Sequence, residues 1–207
     1  MNSKKQLLGI ALLILLFFVL IQIKKDNMSS DNLLLPDNLE IEYRPLNEEQ
    51  MNLISKIKSS QDLINYINQN ISIESSVGLL SKQPSELLST KSGEIQDVAY
   101  LSNYILLRNG LFSSLILYSY KENNKEEYNI IVPFRDIDVP KYIYFNKNEA
   151  VAINHGWSFE EMFQKEEERL GLKIIRYNIL NPKTGFLETS EWLSRDERIE
   201  QARFIEE

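Results

Sequence analysis

Apolar residues fall along this chain in three rhythms, and each rhythm predicts an element. Leu7 to Ile21 is an unbroken run of 15 residues without a polar side chain, extended by Gln22 and Ile23. Lys4 and Lys5 precede it; Lys24 and Lys25 follow it. At about 1.5 Å per residue, residues 7–23 span about 25 Å, close to a hydrocarbon core of about 30 Å. Lysines snorkelling at both ends extend that reach. The run is apolar on every face, unlike a buried soluble helix, and no small-x-small pair follows it, unlike a secretory signal peptide. An uncleaved signal anchor over residues 1–25 is expected, placing residues 7–23 in a membrane. Lysines tie at two on each side and give no orientation. The short leading tail and large following domain favour an extracytoplasmic, single-pass arrangement.

Residues 26–45 read as a linker, with Ser29-Ser30-Asp31-Asn32, Pro36-Asp37-Asn38 and a closing Pro45. Helical spacing then takes over. Asn47 and Gln50 form a capping-box start before Leu53, Ile54 and Ile57, and Ser60 is the expected cap of a helix carrying Leu63, Ile64 and Ile67. A helical turn is expected at Pro84–Leu88. From Ser92 to Arg108, residues Ile95, Val98, Ala99, Ser102, Ile105 and Leu106 share one face at 3.6-residue spacing, predicting a core helix that stops before Gly110.

Beyond Gly110 the rhythm shortens to that of strands. Leu111–Tyr120 and Tyr128–Phe134 flank Glu122-Asn123-Asn124-Lys125 as a hairpin, and Lys141–Phe145 and Ala150–Ile153 flank Asn146-Lys147-Asn148 as a second. Ser158 with Glu161 opens a helix closed by Gly171, Leu172–Leu180 is a further strand, and Glu191–Ile205 is a charged helix. Helices precede antiparallel strands, which is α+β ordering. The expected division is a transmembrane anchor (1–25), linker (26–45), α+β domain (46–188) and C-terminal charged helix (189–207).

Composition removes much chemistry. There is no Cys and one His, so disulfides, thiolate metal sites, iron–sulfur clusters and cysteine nucleophiles are excluded. Four of the 23 basic residues lie in the first 25 positions, so 19 remain against 30 acidic residues. That balance argues against a nucleic-acid partner. No cofactor and no metal is expected.

Pro84-Ser85-Glu86-Leu87-Leu88, then Lys91-Ser92-Gly93-Glu94-Ile95-Gln96-Asp97-Val98-Ala99, then a helix ending Leu106-Leu107-Arg108-Asn109-Gly110, resembles the transglutaminase-like family, which has the papain-like cysteine peptidase fold. The likeness covers roughly Pro84 to Ile153. Its nucleophile motif is Gly-x-Cys-x-Asp-x-Ala at the start of a central helix packed on an antiparallel sheet. Gly93, Asp97 and Ala99 match; Ile95 stands where the cysteine belongs. Counting back from Phe134, the resemblance puts Asn129 at the histidine position, with Tyr128 the alternative if the register slips by one, and Asn146 at the aspartate position. It also implies that Asp97 caps or braces the helix start.

A family thiolate depends on the helix dipole and an imidazolium to lower its pKa. Isoleucine has nothing to ionise, and asparagine does not titrate near neutrality. Losing the nucleophile from such a constellation removes about 10⁶-fold of rate. The expectation is therefore a catalytically inactive pseudoenzyme whose cleft, around Ile95, Asn129, Asn146 and Asp97, binds a peptide, a cell-envelope component or a protein partner. Two rivals stand beside it. One is a hydrolase or acyltransferase using Ser92 with His155, although Ser92 suits a helix cap and His155 a loop. The other is a structural subunit of a membrane complex docking through Glu191–Ile205. Asp136-x-Asp138 reads as a solvated turn rather than a cation site, Glu166-Glu167-Glu168 as the outer face of a helix, and Trp157 and Trp192 as core or rim packing.

Overall fold

The computed structural model describes residues 45–74, 82–136, 139–180 and 192–195. The anchor and nearly all of the linker lie outside these residues, and no described helix is long and apolar enough to cross a membrane. The described chain is a mixed α/β domain in which one antiparallel sheet separates two helical layers.

The first two helices start on side-chain caps. In α1 (Glu48–Lys56) the Asn47 side chain accepts from the Gln50 N–H and the Gln50 side chain accepts from the Asn47 N–H. In α2 (Ser60–Asn70) the cap is Ser59, one residue earlier than expected, because Asp62 sits three positions on and closes the reciprocal box. A short α3 (Pro84–Thr90) begins with proline at its first turn, where a missing N–H is harmless. The central helix α4 (Ile95–Arg108) buries the whole expected stripe and also Gln96, Asp97, Tyr100, Leu101 and Asn103, so it is enclosed nearly all round.

Six strands form the sheet, in the order β6-β5-β4-β3-β7-β8. They are β3 (Leu115–Glu122), β4 (Lys125–Arg135), β5 (Pro140–Phe145), β6 (Ala150–Asn154), β7 (Ile174–Leu180) and β8 (Leu193–Ser194), with antiparallel neighbours throughout. Asn123 and Asn124 both take positive φ, 51° and 62°, as a tight hairpin joining two right-twisted strands demands. A separate parallel pair, β1 (Ser72–Glu74) with β2 (Ser92–Glu94), sits before α4. Ser92 is therefore a strand residue rather than the cap of the central helix: its Oγ donates to Glu74 across the pair. Leu193–Ser194 likewise form a strand where a helix was expected over Glu191–Ile205, because they complete the edge beside Arg176 and Tyr177; the rest of that stretch lies outside the described residues.

Alternation along β4 sorts the two layers. Ile130, Val132 and Phe134 join Val98, Ala99, Leu101 and Ile105 of α4 in one core. Ile131 points the other way, into a second core with Tyr118, Tyr142, and Met162 and Phe163 of α5 (Phe159–Leu170).

At the centre of this second layer is a carboxylate. Glu166 has no exposed surface, contrary to its expected place on an outer helical face. The Tyr118 hydroxyl donates to its Oε1, and the Tyr142 hydroxyl to its Oε2 at 3.0 Å. Arg169 grips both oxygens, Nε at 2.8 Å and Nη2 at 2.6 Å. Its guanidinium lies 4.0 Å from the centroid of the Tyr144 ring. Burial, then the Glu166 charge, pushes both tyrosine hydroxyls well above their ordinary pKa, so they remain donors. Glu167, also buried, accepts from Lys173, from the Ile174 N–H and from Arg195. Only Glu168 of the three faces solvent, where it pairs with Lys165.

Removing one member of a buried ion pair strands its partner, which typically costs about 3–5 kcal/mol. Glu166→Gln is expected to lower unfolding stability by that amount in urea titrations, and Tyr118→Phe by about 1–3 kcal/mol. Replacing Glu166 and Arg169 together by leucine is expected to recover only part of the loss, because no charge is left unpaired but the Tyr118 and Tyr142 hydroxyls lose their acceptor.

Candidate functional site

The segment resembling a nucleophile motif packs as a scaffold. Gly93 lies against Asp97: a Cβ built there would meet Asp97 Oδ2 at 2.7 Å and Leu87 Cδ1 at 2.8 Å. Asp97, 2 % exposed, accepts from the Lys82 N–H at 2.6 Å and from the Glu94 N–H at 2.9 Å. Burial raises its carboxyl above the ordinary carboxylate value, and the two N–H donors with the Lys82 charge offset part of that rise. Asp97 thus ties the loop at Lys82 to the start of α4. Ile95 opens the helix and is 6 % exposed within the core of the first layer.

The other two motif positions do not gather beside it. Asn129 pairs in register with Tyr118 and lies on the Ile131 face, the side of α5 rather than α4. Its Oδ1 accepts from the next N–H, Ile130. Tyr128, one residue earlier, is on the α4 face, packed against that core and 5.7 Å from the Trp192 ring centroid. Asn146 shapes the β5–β6 turn, its Oδ1 accepting from the N–H groups of Asn148 and Glu149. Ile95 and Asn129 therefore face opposite layers, and Asn146 is committed to its own turn.

A groove of about 410 Å³ opens elsewhere, at the start of α5. Phe112, Arg135, Pro140, His155, Trp157 and Phe159 build its wall, and none of its described lining residues is acidic. Phe112 and Trp157 are 58 % and 59 % exposed, the most exposed large hydrophobic side chains among the described residues. The Arg135 guanidinium sits 5.0 Å from the centroid of the Trp157 ring. Its neighbour Asp136 is held by Lys141 at 2.8 Å and by Ser60 at 3.1 Å. None of the described ion pairs includes Arg135. Asp138 lies outside the described residues.

His155 forms the inner wall. Its backbone N–H bonds to Pro140, its ring centroid is 5.9 Å from that of Tyr142, and neither buried ring nitrogen completes a hydrogen bond among the described residues. Burial lowers its pKa from the ordinary 6.5, while the nearby backbone of Gly156 and Lys141 and the Glu161 carboxylate pull in the opposite direction. Ser92 donates to Glu74 instead, so no Ser92–His155 hydrogen bond exists. Among the described residues no group of three or more His, Asp or Glu is placed to hold a metal ion.

No family model matches the sequence, and no curated protein is similar to it at a significant level. Three structures of Legionella pneumophila LapG overlap it coarsely. One has 13% identity and a TM-score of 0.41, over 68% of this chain and 76% of that one. An EGTA-treated form has 14% identity and 0.42, over 76% and 85%. A calcium-bound form has 12% identity and 0.39, over 79% and 92%.

Two predictions follow from the geometry around α4 and His155. Gly93→Ala is expected to destabilise the domain by about 1–3 kcal/mol, since both close atoms belong to packed side chains; an unchanged urea midpoint would remove the close approach from the account. As the only imidazole, His155 gives a single ring titration by NMR, with its midpoint expected below 6.5. Because its folded-state pKa is the lower one, the unfolded chain binds more protons as pH drops. Stability is therefore expected to decline on acidification below about 6.5 and to decline less in His155→Leu.

Proposed function

We propose that this chain is a membrane-anchored, noncatalytic binding module built on a transglutaminase-like scaffold, displayed outside the cytoplasm by residues 7–23. The observation that carries the binding reading is the groove at the start of α5. Two large aromatic side chains are left more than half exposed at one concavity, whereas the other aromatic side chains among the described residues are buried or half-buried. Exposed aromatic surface of that kind marks contact sites more often than it marks incomplete packing.

The noncatalytic part is supported by chemistry. The sequence has no thiol, the helix start carries a hydrocarbon at Ile95, and the lone imidazole is not hydrogen-bonded to Ser92. The ligand class proposed is a peptide or cell-envelope component.

Thermal shift of the full chain against short peptides and cell-wall fragments tests the proposal. A ligand at about 100 times its dissociation constant adds about 2.7 kcal/mol of stability, a shift of several degrees for a domain of this size. The Phe112→Ala/Trp157→Ala variant is expected to lose that shift while keeping its unliganded midpoint within a few degrees. Mass spectrometry of the same mixtures is expected to find the ligands intact. Cleaved or crosslinked amides would overturn the noncatalytic reading, and a shift that survives in the double variant would move the site away from the groove.

A further inference from the structure

We infer that the groove recognises the free carboxy-terminus of a peptide ending in an aromatic or large aliphatic residue, an inference that rests on the binding reading above. Its chemistry is asymmetric in a way that suits one end of a chain. The floor and rim, from Phe112, Pro140, Trp157 and Phe159, are apolar and aromatic, which fits a terminal side chain. The polar groups are a cation and an imidazole, with no carboxylate on the described wall, although acidic residues outnumber basic ones in the chain by 30 to 23. Arg135 is the charged side chain of the described wall, and an anion seated beside it gains a charge-assisted contact.

Arg135 is arranged to take that anion. Its guanidinium lies 5.0 Å from the centroid of the Trp157 ring, and its planar fork of N–H donors is the group that pairs a carboxylate with two parallel bonds. Asp136, the adjacent acid, is occupied by Lys141 and Ser60. His155 contributes wall rather than hydrogen bonds, because both of its ring nitrogens are shut off from the surface. The peptide character of the ligand rests on the binding reading above, and Arg135 adds the carboxylate. The volume, about 410 Å³, is at the small end for ligand sites and suits a short terminus rather than a long segment.

The test uses the full chain in nonionic detergent with acetyl-Ala-Ala-Phe as free acid and as carboxy-terminal amide, followed by isothermal titration. The free acid is expected to bind at least about tenfold more tightly than the amide, the discrimination a charge-assisted pair supplies. Arg135→Gln is expected to bring the acid and amide affinities within about twofold of each other, and Trp157→Ala to weaken both while the acid keeps its advantage. Equal affinity of acid and amide would overturn the carboxylate inference and leave the groove as a binding site. Absence of binding by either peptide to folded protein would overturn the inference, while the wall-fragment screen continues to judge the wider reading. 3-Phenylpropionate binding as tightly as the tripeptide would assign the site to small carboxylates and overturn the peptide terminus.

Discussion

The carboxylate of Glu166 is the constraint on which the second layer depends. A charge with no exposed surface is tolerable only when its oxygens are saturated, and here two tyrosines from the sheet and one arginine from the same helix supply four donors. Because Tyr118 is on β3 and Tyr142 on β5, the helix is held at two strands that flank β4, which fixes both its position and its rotation. Non-directional packing of Met162 and Phe163 alone would leave rotation less well defined. The same fixing determines where the amino-terminal end of α5 falls. That end carries Ser158, Phe159 and Met162 to the groove, so the groove's shape is set by a buried ion cluster two turns further along the helix.

A second cluster works the same way at the carboxy-terminal side. Arg195 bonds to Glu160 and Glu167 and packs over Phe163 at 5.4 Å, while Arg176 lies 4.6 Å from the Trp192 ring centroid and bonds to Glu126. Leu193–Ser194 are thereby held to the sheet edge by charges on a neighbouring helix and strand, although the strand itself is only two residues long. Short-range propensity has little to do with this; Trp192 and Arg195, on either side of the strand, are held by fixed partners.

Much of the fold was legible from local signals. Capping boxes at Asn47 and Ser158 open helices where the sequence placed them, the Ile95–Leu106 stripe is buried, and both hairpins occupy their expected turns. The errors share a cause, which is that partners distant in sequence decide them. Three successive glutamates look like a solvated face, yet Glu166 is four residues after Met162 and three after Phe163, on the stripe that the apolar residues define. That spacing was available, but tyrosines 48 and 24 residues away were needed to make a buried acid plausible. The Asn129 assignment has a simpler remedy. Phe134, Val132 and Ile130 alternate toward α4, so parity selects Tyr128 and excludes Asn129 from that side. The groove had no local signature at all, since Phe112, Arg135 and Trp157 are brought together only by the sheet's connections.

These placements bear on what the helix start can do. A nucleophile at the first turn of α4 would need a partner on the α4 face of β4, and parity supplies Tyr128 there, a phenol that Trp192 covers. A phenol does not replace an imidazole as a proton acceptor, so substituting Ile95 by a residue with a nucleophilic atom would not by itself create an acid–base pair. Meanwhile the titratable group with the appropriate intrinsic range, His155, lies at the groove, where its ring is 5.9 Å from that of Tyr142 and where no hydroxyl nucleophile is hydrogen-bonded to it among the described residues. The imidazole and the start of α4 are thus in separate places, and the exposed aromatic side chains lie with the imidazole.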